Sequence, residues 1–384
     1  MSSVGAIRCG MLIDGTGAPP RHDVVIDFAG DRIATVAPSD EVAPTSGTVH
    51  DWSEFTIVPG LIDSHDHLIL NPGDEVAQFH EGDDATLHRG ETNASRILHS
   101  GITTLRDCGG WHHLDLAMRT RIDCGSIEGP RTLVSGVPLT ITGGHLSIWG
   151  GGVSTFKAMR KAVRSQVAAG ADFIKIFVTG GLYQDDDKRL RAAFSPDALR
   201  VIIDEAHAAG RRVIAHCHGG PGALAAVEAG VDSIEHGIYC TREDFDAMAE
   251  RTTPLVVTYN VFDQAAADTS LAADLRAKFR NAVETYRSTL TIVRDAKVSV
   301  GIGSDTIHTD LVSEMQALIR AGFSNLEVLQ AATVNGAHVC GLTAVGTVAA
   351  GQQADLVAVR GDPLRDINML RTVSHVVKGG QLVF

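Results

Sequence analysis

Between residues 58 and 339, short apolar runs rich in β-branched residues alternate with longer amphipathic stretches. Parallel strands are buried on both faces and need helical crossovers, so this alternation predicts a parallel sheet wrapped by helices. The strand candidates are IVPGLIDSHDH (57–67), ITTLRDC (102–108), RTLVSG (131–136), DFIKIFVTGG (172–181), RRVIAHCH (211–218), DSIEHG (232–237), PLVVTY (254–259) and VSVGIGSD (298–305). One helix is predicted over 154–170, from Ser154 to Gly170. Another spans 195–210, with Ser195 as N-cap and Pro196 at the first helical position. Eight strands with intervening helices predict an α/β fold, a (β/α)8 TIM barrel over 57–345.

The two ends of the chain have a different texture. Residues 1–56 and 346–384 hold short strand-like pieces, VVIDFAGDRIATVAP in the first and SHVVKGGQLVF in the second, cut by Gly, Pro and Asp turns. Neither piece can bury a face alone, so the two are expected to pair into one small β-sandwich beside the barrel. No internal repeat or low-complexity tract is apparent.

Composition narrows the partners more than the fold. A net charge of −13 over 384 residues argues against nucleic acid, whose phosphates need a surplus of lysine and arginine. The six cysteines (Cys9, Cys108, Cys124, Cys217, Cys240, Cys340) contain no CxxC pair and read as reduced thiols. No basic-then-apolar leader opens the sequence. No stretch approaches ~18 uninterrupted apolar residues, so no membrane span is expected. A cytoplasmic location follows as the expectation.

The candidate chemistry sits at the strand ends. His65 and His67 close the first strand, and side chains two apart on a strand share a face. Lys175 lies inside the apolar run FIKIFV, His216 ends RVIAH, His236 ends SIEH and Asp305 ends VSVGIGSD. Taken singly, each reads more readily as a satisfied core or turn residue. Together they occupy the C-terminal end of the strands, where active sites of this fold lie. Six such groups suit two divalent cations, with His65 and His67 on the more buried ion and His216 and His236 on the more exposed one. The donor types fit zinc, and manganese, cobalt or iron share them. A neutral lysine amine bridges two cations poorly, whereas the carbamate it forms with carbon dioxide offers two anionic oxygens. Lys175 is therefore expected to be carboxylated; a lysine paired with a buried acid is the plain alternative. Cations of this kind lower the pKa of a shared water from 15.7 to about 7. Asp305 would take a proton during attack and return it to the leaving group. Hydrolysis of an amide, carbamate or ester is the reaction class. His218, two residues after His216, could substitute as a ligand; His216 is preferred because it directly closes the apolar run, which leaves His218 to line the pocket.

With these residues in place, the chain resembles the amidohydrolase superfamily, whose members carry HxH on strand one, a carboxylated lysine on strand four, histidines on strands five and six, and an aspartate on strand eight. The resemblance covers nearly the whole chain, including NLEVLQAATVNGAHVCGL and GTVAAGQQADLVAV near its end. GPRTLVSGVPLTITGGHL, IKIFVTGG, AHCHG and SIEHG are most similar to the imidazolonepropionase-related branch that holds the metal-dependent Xaa-Pro dipeptidases, ochratoxin-type amidases and phenylurea or carbamate hydrolases. The resemblance implies a small-molecule amide substrate and a homo-oligomer. It also implies a role for His145 in binding or polarising the substrate carbonyl, with a loop histidine capping a Gly-rich turn as the plain reading. Tyr183 and Tyr239 are candidates to grip a substrate carboxylate, against simple packing. Two departures stand out. Leu146 follows His145 where the branch usually has glycine, and Ser147, Ile148 and Trp149 come after it, which makes that wall bulkier and more apolar. The charged run Asp185, Asp186, Asp187 and Lys188 follows strand four; such a run is usually a solvated face, but here it could also repel an anionic substrate.

Three rivals are weaker. A mononuclear deaminase of this superfamily resembles the chain at HxH, but carries a glutamate where Gly219 stands. Gly220, Pro221, Gly222 and Ala225 match a GxGxxA dinucleotide fingerprint, but the match lies mid-barrel and reads as an ordinary Gly-rich loop. A catalytically dead scaffold would be expected to have lost some of the six ligand-type residues.

Overall fold

The computed structural model describes residues 2–41, 49–184 and 189–384. Eight short strands run parallel in chain order: β1 (Leu61–Asp66), β2 (Ile102–Asp107), β3 (Arg131–Val134), β4 (Phe173–Phe177), β5 (Arg212–Gly219), β6 (Ser233–Tyr239), β7 (Leu255–Val257) and β8 (Val300–Ile302). They form two parallel sheets, β1-β2-β3 and β4-β5-β6-β7-β8. Backbone hydrogen bonds from segments just past β3 and β8 link the two sheets at two places. Leu139 N donates to Lys175 O at 2.8 Å and Phe177 N to Leu139 O at 2.9 Å; at the other side Asp305 N donates to His65 O at 2.9 Å. Every residue of β1, β2 and β4 is buried, as strands covered on both faces require.

The helices between the strands form where capping and periodicity coincide. Pro196–Ala208 starts from Ser195, whose hydroxyl accepts from Ala198 N, with Pro196 at the first turn. It buries Leu199, Ile202, Ile203 and Ala206 on one face. Phe156–Ala169 is capped by Thr155, one residue later than Ser154, and ends on Gly170 in the left-handed conformation.

The first apolar run holds two strands, not one. Val49–Pro59 belongs to an eight-stranded sheet built from both ends of the chain, and β1 begins at Leu61. The break falls at Gly60, where a Cβ would sit 2.0 Å from the Thr103 hydroxyl. In the terminal sheet Val49–Pro59 pairs with Ala6–Leu12 on one side and with Leu356–Val359 on the other. Its own apolar cluster, including Ile7, Val24, Ile26, Trp52, Ile57, Leu356 and Val377, is separate from the cluster around the parallel strands. Among the described residues, no helix is long and apolar enough to cross a membrane.

Candidate active site

The ends of the parallel strands surround an open cleft of about 720 Å³. Its lining includes His65, His67, His145, Lys175, Tyr183, His216, His218, His236 and Asp305. Tyr239 is not among the lining residues; its ring is taken up by Arg189, whose guanidinium carbon lies 4.8 Å from the ring centre. The charged run 185–188 lies outside the described residues.

Each ligand-type histidine is tethered through one nitrogen. His65 Nδ1 lies 2.7 Å from a carboxylate oxygen of Glu235, and His67 Nδ1 lies 2.7 Å from the Gly109 carbonyl. Both partners are acceptors, so both Nδ1 atoms carry the proton and both Nε2 atoms present a lone pair. Those lone pairs face Asp305 Oδ1, at 3.6 Å from His65 and 3.8 Å from His67. Acceptors aimed at one another suit a cation between them. His216 Nε2 donates to the Gly180 carbonyl at 3.2 Å, which leaves its Nδ1 2.9 Å from His236 Nε2. His236 Nδ1 lies 2.7 Å from the Thr258 hydroxyl and 3.8 Å from Asp305 Oδ2. The nearest atoms of His65, His236 and Asp305 lie within 4.8 Å of one another, close enough to share an ion. This nitrogen and oxygen donor set therefore fits divalent metal. Lys175 Nζ is buried 3.4 Å from His65 Nε2, and no carboxylate of the described residues pairs with it.

Burial sets the charges. It holds His65, His216 and His236 well below the usual imidazole range, and it pulls His67 down to about 4. His145 and His218 fall to about 3 for the same reason. Neutral rings are what metal ligation needs. Asp305 is pushed up to about 7 by burial, against the pull of Lys175, which suits a proton acceptor near neutral pH.

The supporting groups were not anticipated from the sequence. Glu235 is fully buried and also binds Arg106 through both oxygens at 2.9 Å; Arg106 Nε donates to Ser64 O at 2.6 Å. Asp66 accepts from His67 N, Thr306 N and His308 Nδ1, each at 2.8 Å. His308 Nε2 meets the Leu70 carbonyl at 2.8 Å. With acceptors on both nitrogens, His308 is an imidazolium; burial opposes its charge, but Asp66 outweighs that and holds it above the usual range. Asp305, Thr306 and His308 all have positive φ (47°, 79° and 54°), as does His236 at 74°. Such conformations cost of order 1–3 kcal/mol each and persist only where the surroundings hold them. Two glycines make room for the site. A Cβ at Gly303 would lie 2.4 Å from His65 Cβ, and one at Gly181 would lie 2.6 Å from the His145 ring.

On the outer side, His145 packs edge-on to Phe177 with ring centres 4.8 Å apart, and the buried His218 Nδ1 has no hydrogen-bond partner. Half-exposed Tyr183 stands at the mouth against Phe279. An adjoining hollow of about 1030 Å³ shares His145, Leu146 and Tyr183 with the cleft and adds Val76, Ile148, Leu271 and Leu275. Leu146 and Ile148 thus line the outer wall, while Trp149 is buried behind it, against Trp111.

The pattern of the Amidohydrolase family matches residues 56–383, and the chain belongs to that family. It is an enzyme of the class that hydrolyses carbon–nitrogen bonds, in the imidazolonepropionase-related, prolidase-like branch. Ochratoxinase of Aspergillus niger is 30% identical, over 99% of this chain and 87% of that protein. Imidazolonepropionase of Rhodococcus jostii is 25% identical, over 94% of this chain and 89% of its own. The crystal structure of a Xaa-Pro dipeptidase with methionine bound in its active site superposes with a TM-score of 0.92 at 27% identity, covering 98% of this chain and 99% of that one. These likenesses give the TIM-barrel fold with a second domain.

Proposed function

We propose that the chain hydrolyses an amide C–N bond of a small molecule, a dipeptide or an N-acyl amino acid, in a centre of two divalent cations, zinc being the best fit to the donors. His65, His67, Lys175 as its carbamate, His216, His236 and Asp305 would hold the cations. The observation that carries this reading is the facing of the His65 and His67 lone pairs toward the Asp305 carboxylate. The buried Lys175 amine without a carboxylate partner supports the carbamate. The two sets of hydrogen bonds support closure of the eight strands into a barrel over 57–345, with 1–56 and 346–384 as the small domain, except that 57–59 end the Val49–Pro59 strand and go with the small domain.

When bound, the cations supply Lewis acidity that polarises a carbonyl and acidifies water. Asp305 takes a proton from the attacking water as its oxygen bonds to the carbonyl carbon. As the C–N bond breaks, the same carboxyl returns the proton to the departing nitrogen, giving a carboxylic acid and an amine. His145 and Tyr183 stand where they can contact the carbonyl and the outer part of the substrate. His218 offers a free ring nitrogen. A second reading, an aryl amide, carbamate or urea as substrate, is favoured by the apolar hollow and by the ochratoxinase likeness. All six cysteines are free, which fits the cytoplasmic location we infer.

Elemental analysis of the purified protein should give two divalent ions per chain, and Lys175→Ala should lose them. Intact mass should carry the increment of one carbon dioxide, absent from that variant. Full metal and full rate in Lys175→Ala would refute the carbamate; a protein that takes up no divalent metal would refute the centre. A panel of dipeptides, N-acyl amino acids and aryl carbamates then separates the two substrate readings.

A further inference from the structure

We propose that Glu75 receives a free ammonium group of the substrate, so that amides carrying an unblocked amine are preferred to their N-acylated counterparts. The proposal rests on the hydrolase reading above.

Glu75 opens a short helix, Glu75–Phe79, whose N-cap is Asp74. The Asp74 carboxylate is occupied by backbone, accepting from Val76 N at 2.9 Å and Ala77 N at 3.0 Å. The neighbouring Glu75 carboxylate bonds to none of the described residues. It lines both the cleft and the apolar hollow, and so stands where the two meet. Among the described lining residues, no lysine or arginine borders the hollow, and the only one in the cleft is Lys175 at its floor.

A half-buried carboxylate without a counter-ion holds its charge poorly. Burial, reinforced by Asp305 and Asp74, pushes Glu75 up to about 8. A ligand that brings a positive charge reverses this by giving the ionised form a partner, and charge-assisted hydrogen bonds are about twice as strong as neutral ones. An anionic group at the same place would face Asp74, Glu75 and Asp305 together. Burial and the nearness of Glu75 also push the Tyr183 phenol up to about 12, so it stays protonated. Tyr183 then becomes a donor beside an amine-binding carboxylate, not the grip for a substrate carboxylate. A leucyl side chain on the same residue would have Val76, Leu271 and Leu275 to pack against.

The test compares leucyl-phenylalanine with N-acetyl-leucyl-phenylalanine, which share one scissile amide, on metal-loaded wild type, Glu75→Gln and Glu75→Asp. Wild type should favour the free amine by ~tenfold or more in kcat/KM, the scale of a charged hydrogen bond. Glu75→Gln should erase that preference through KM and leave the acetylated peptide within ~twofold, while Glu75→Asp should keep part of it. Equal losses on both peptides, no change on either, or a wild type indifferent to acetylation would overturn the proposal. Calorimetric binding of leucinamide and N-acetyl-leucinamide asks the same question without turnover. Tighter binding of the free amine, lost in Glu75→Gln, supports Glu75, and equal affinities refute it. If that difference holds while neither peptide is cleaved, the dipeptide reading of the substrate fails and the recognition stands.

Discussion

The histidines of the cleft divide by what holds their outer nitrogen. His65, His67, His216 and His236 are each tied down, to Glu235, Gly109, Gly180 and Thr258. His145 rests on ring contacts, and His218 keeps an unbonded nitrogen. A tie to a carboxylate or carbonyl fixes the tautomer and the aim of the other nitrogen, as the metal centre proposed above would need, and such outer partners typically change metal affinity by about 10–100-fold. An untied ring can turn to meet a ligand. On the proposed function the same residue type would serve two tasks, and its neighbours decide which.

Several changes would break or sharpen this contrast. The largest effect is expected from Asp305→Asn, which keeps an acceptor facing the tied set but cannot move a proton. Turnover should drop ~10²–10⁴-fold with metal content nearly intact, by stopped assay and elemental analysis; unchanged turnover would remove Asp305 from its role. Glu235→Gln should come next. It leaves Arg106 with an uncompensated buried charge, at about 3–5 kcal/mol in chemical denaturation, and weakens metal binding. If the variant binds metal as wild type does, the tie is not what aims His65.

In the untied set, His145→Gln should show itself through pH. The folded ring titrates at about 3 against an ordinary 6.5, so below 6.5 the unfolded chain takes up a proton that the folded, metal-free protein refuses. This ring therefore costs the wild type stability as pH falls from 6.5 toward 3, and costs nothing above 6.5. Relative to wild type, the variant should gain about 1 kcal/mol per pH unit across that window. A difference between the two proteins that does not vary between pH 7.5 and 5.5 would mean that His145 is solvated. The smallest effect is expected from His218→Ala, a ~2–10-fold loss in kcat/KM with two metals retained; loss of metal would move His218 into the tied set.

The strand ends were legible because chemistry-bearing residues interrupt apolar runs, and the gathering of His65, His67, Lys175, His216, His236 and Asp305 around one cleft follows from strand order alone. The same criterion applies to Arg106 in ITTLRD and Glu235 in SIEH, which are charges inside buried strands, although their pairing with each other and with His65 is not visible in the sequence. The Gly109 and Gly180 carbonyls leave no trace in side-chain pattern, since every residue has one. His308 lies in an irregular turn three residues past Asp305, where no periodicity points inward. Tyr239 shows the converse, because position after a strand does not say which neighbour will claim the ring. At 57–67 the hydrophobic run continues through Pro59 and Gly60 although the sheet changes, and only the Pro-Gly pair marks the change.

The turn from Asp305 to His308 is wound against the preference of three L-residues and is pinned by the Asp66 carboxylate together with the His65 and Leu70 carbonyls. A glycine at 306 would relax it and should raise the melting temperature, yet it would also let the Asp305 carboxyl, the proposed proton carrier, wander. Robustness and speed therefore pull in opposite directions at this one corner. Directed evolution for heat tolerance should find gains there that it pays for in turnover.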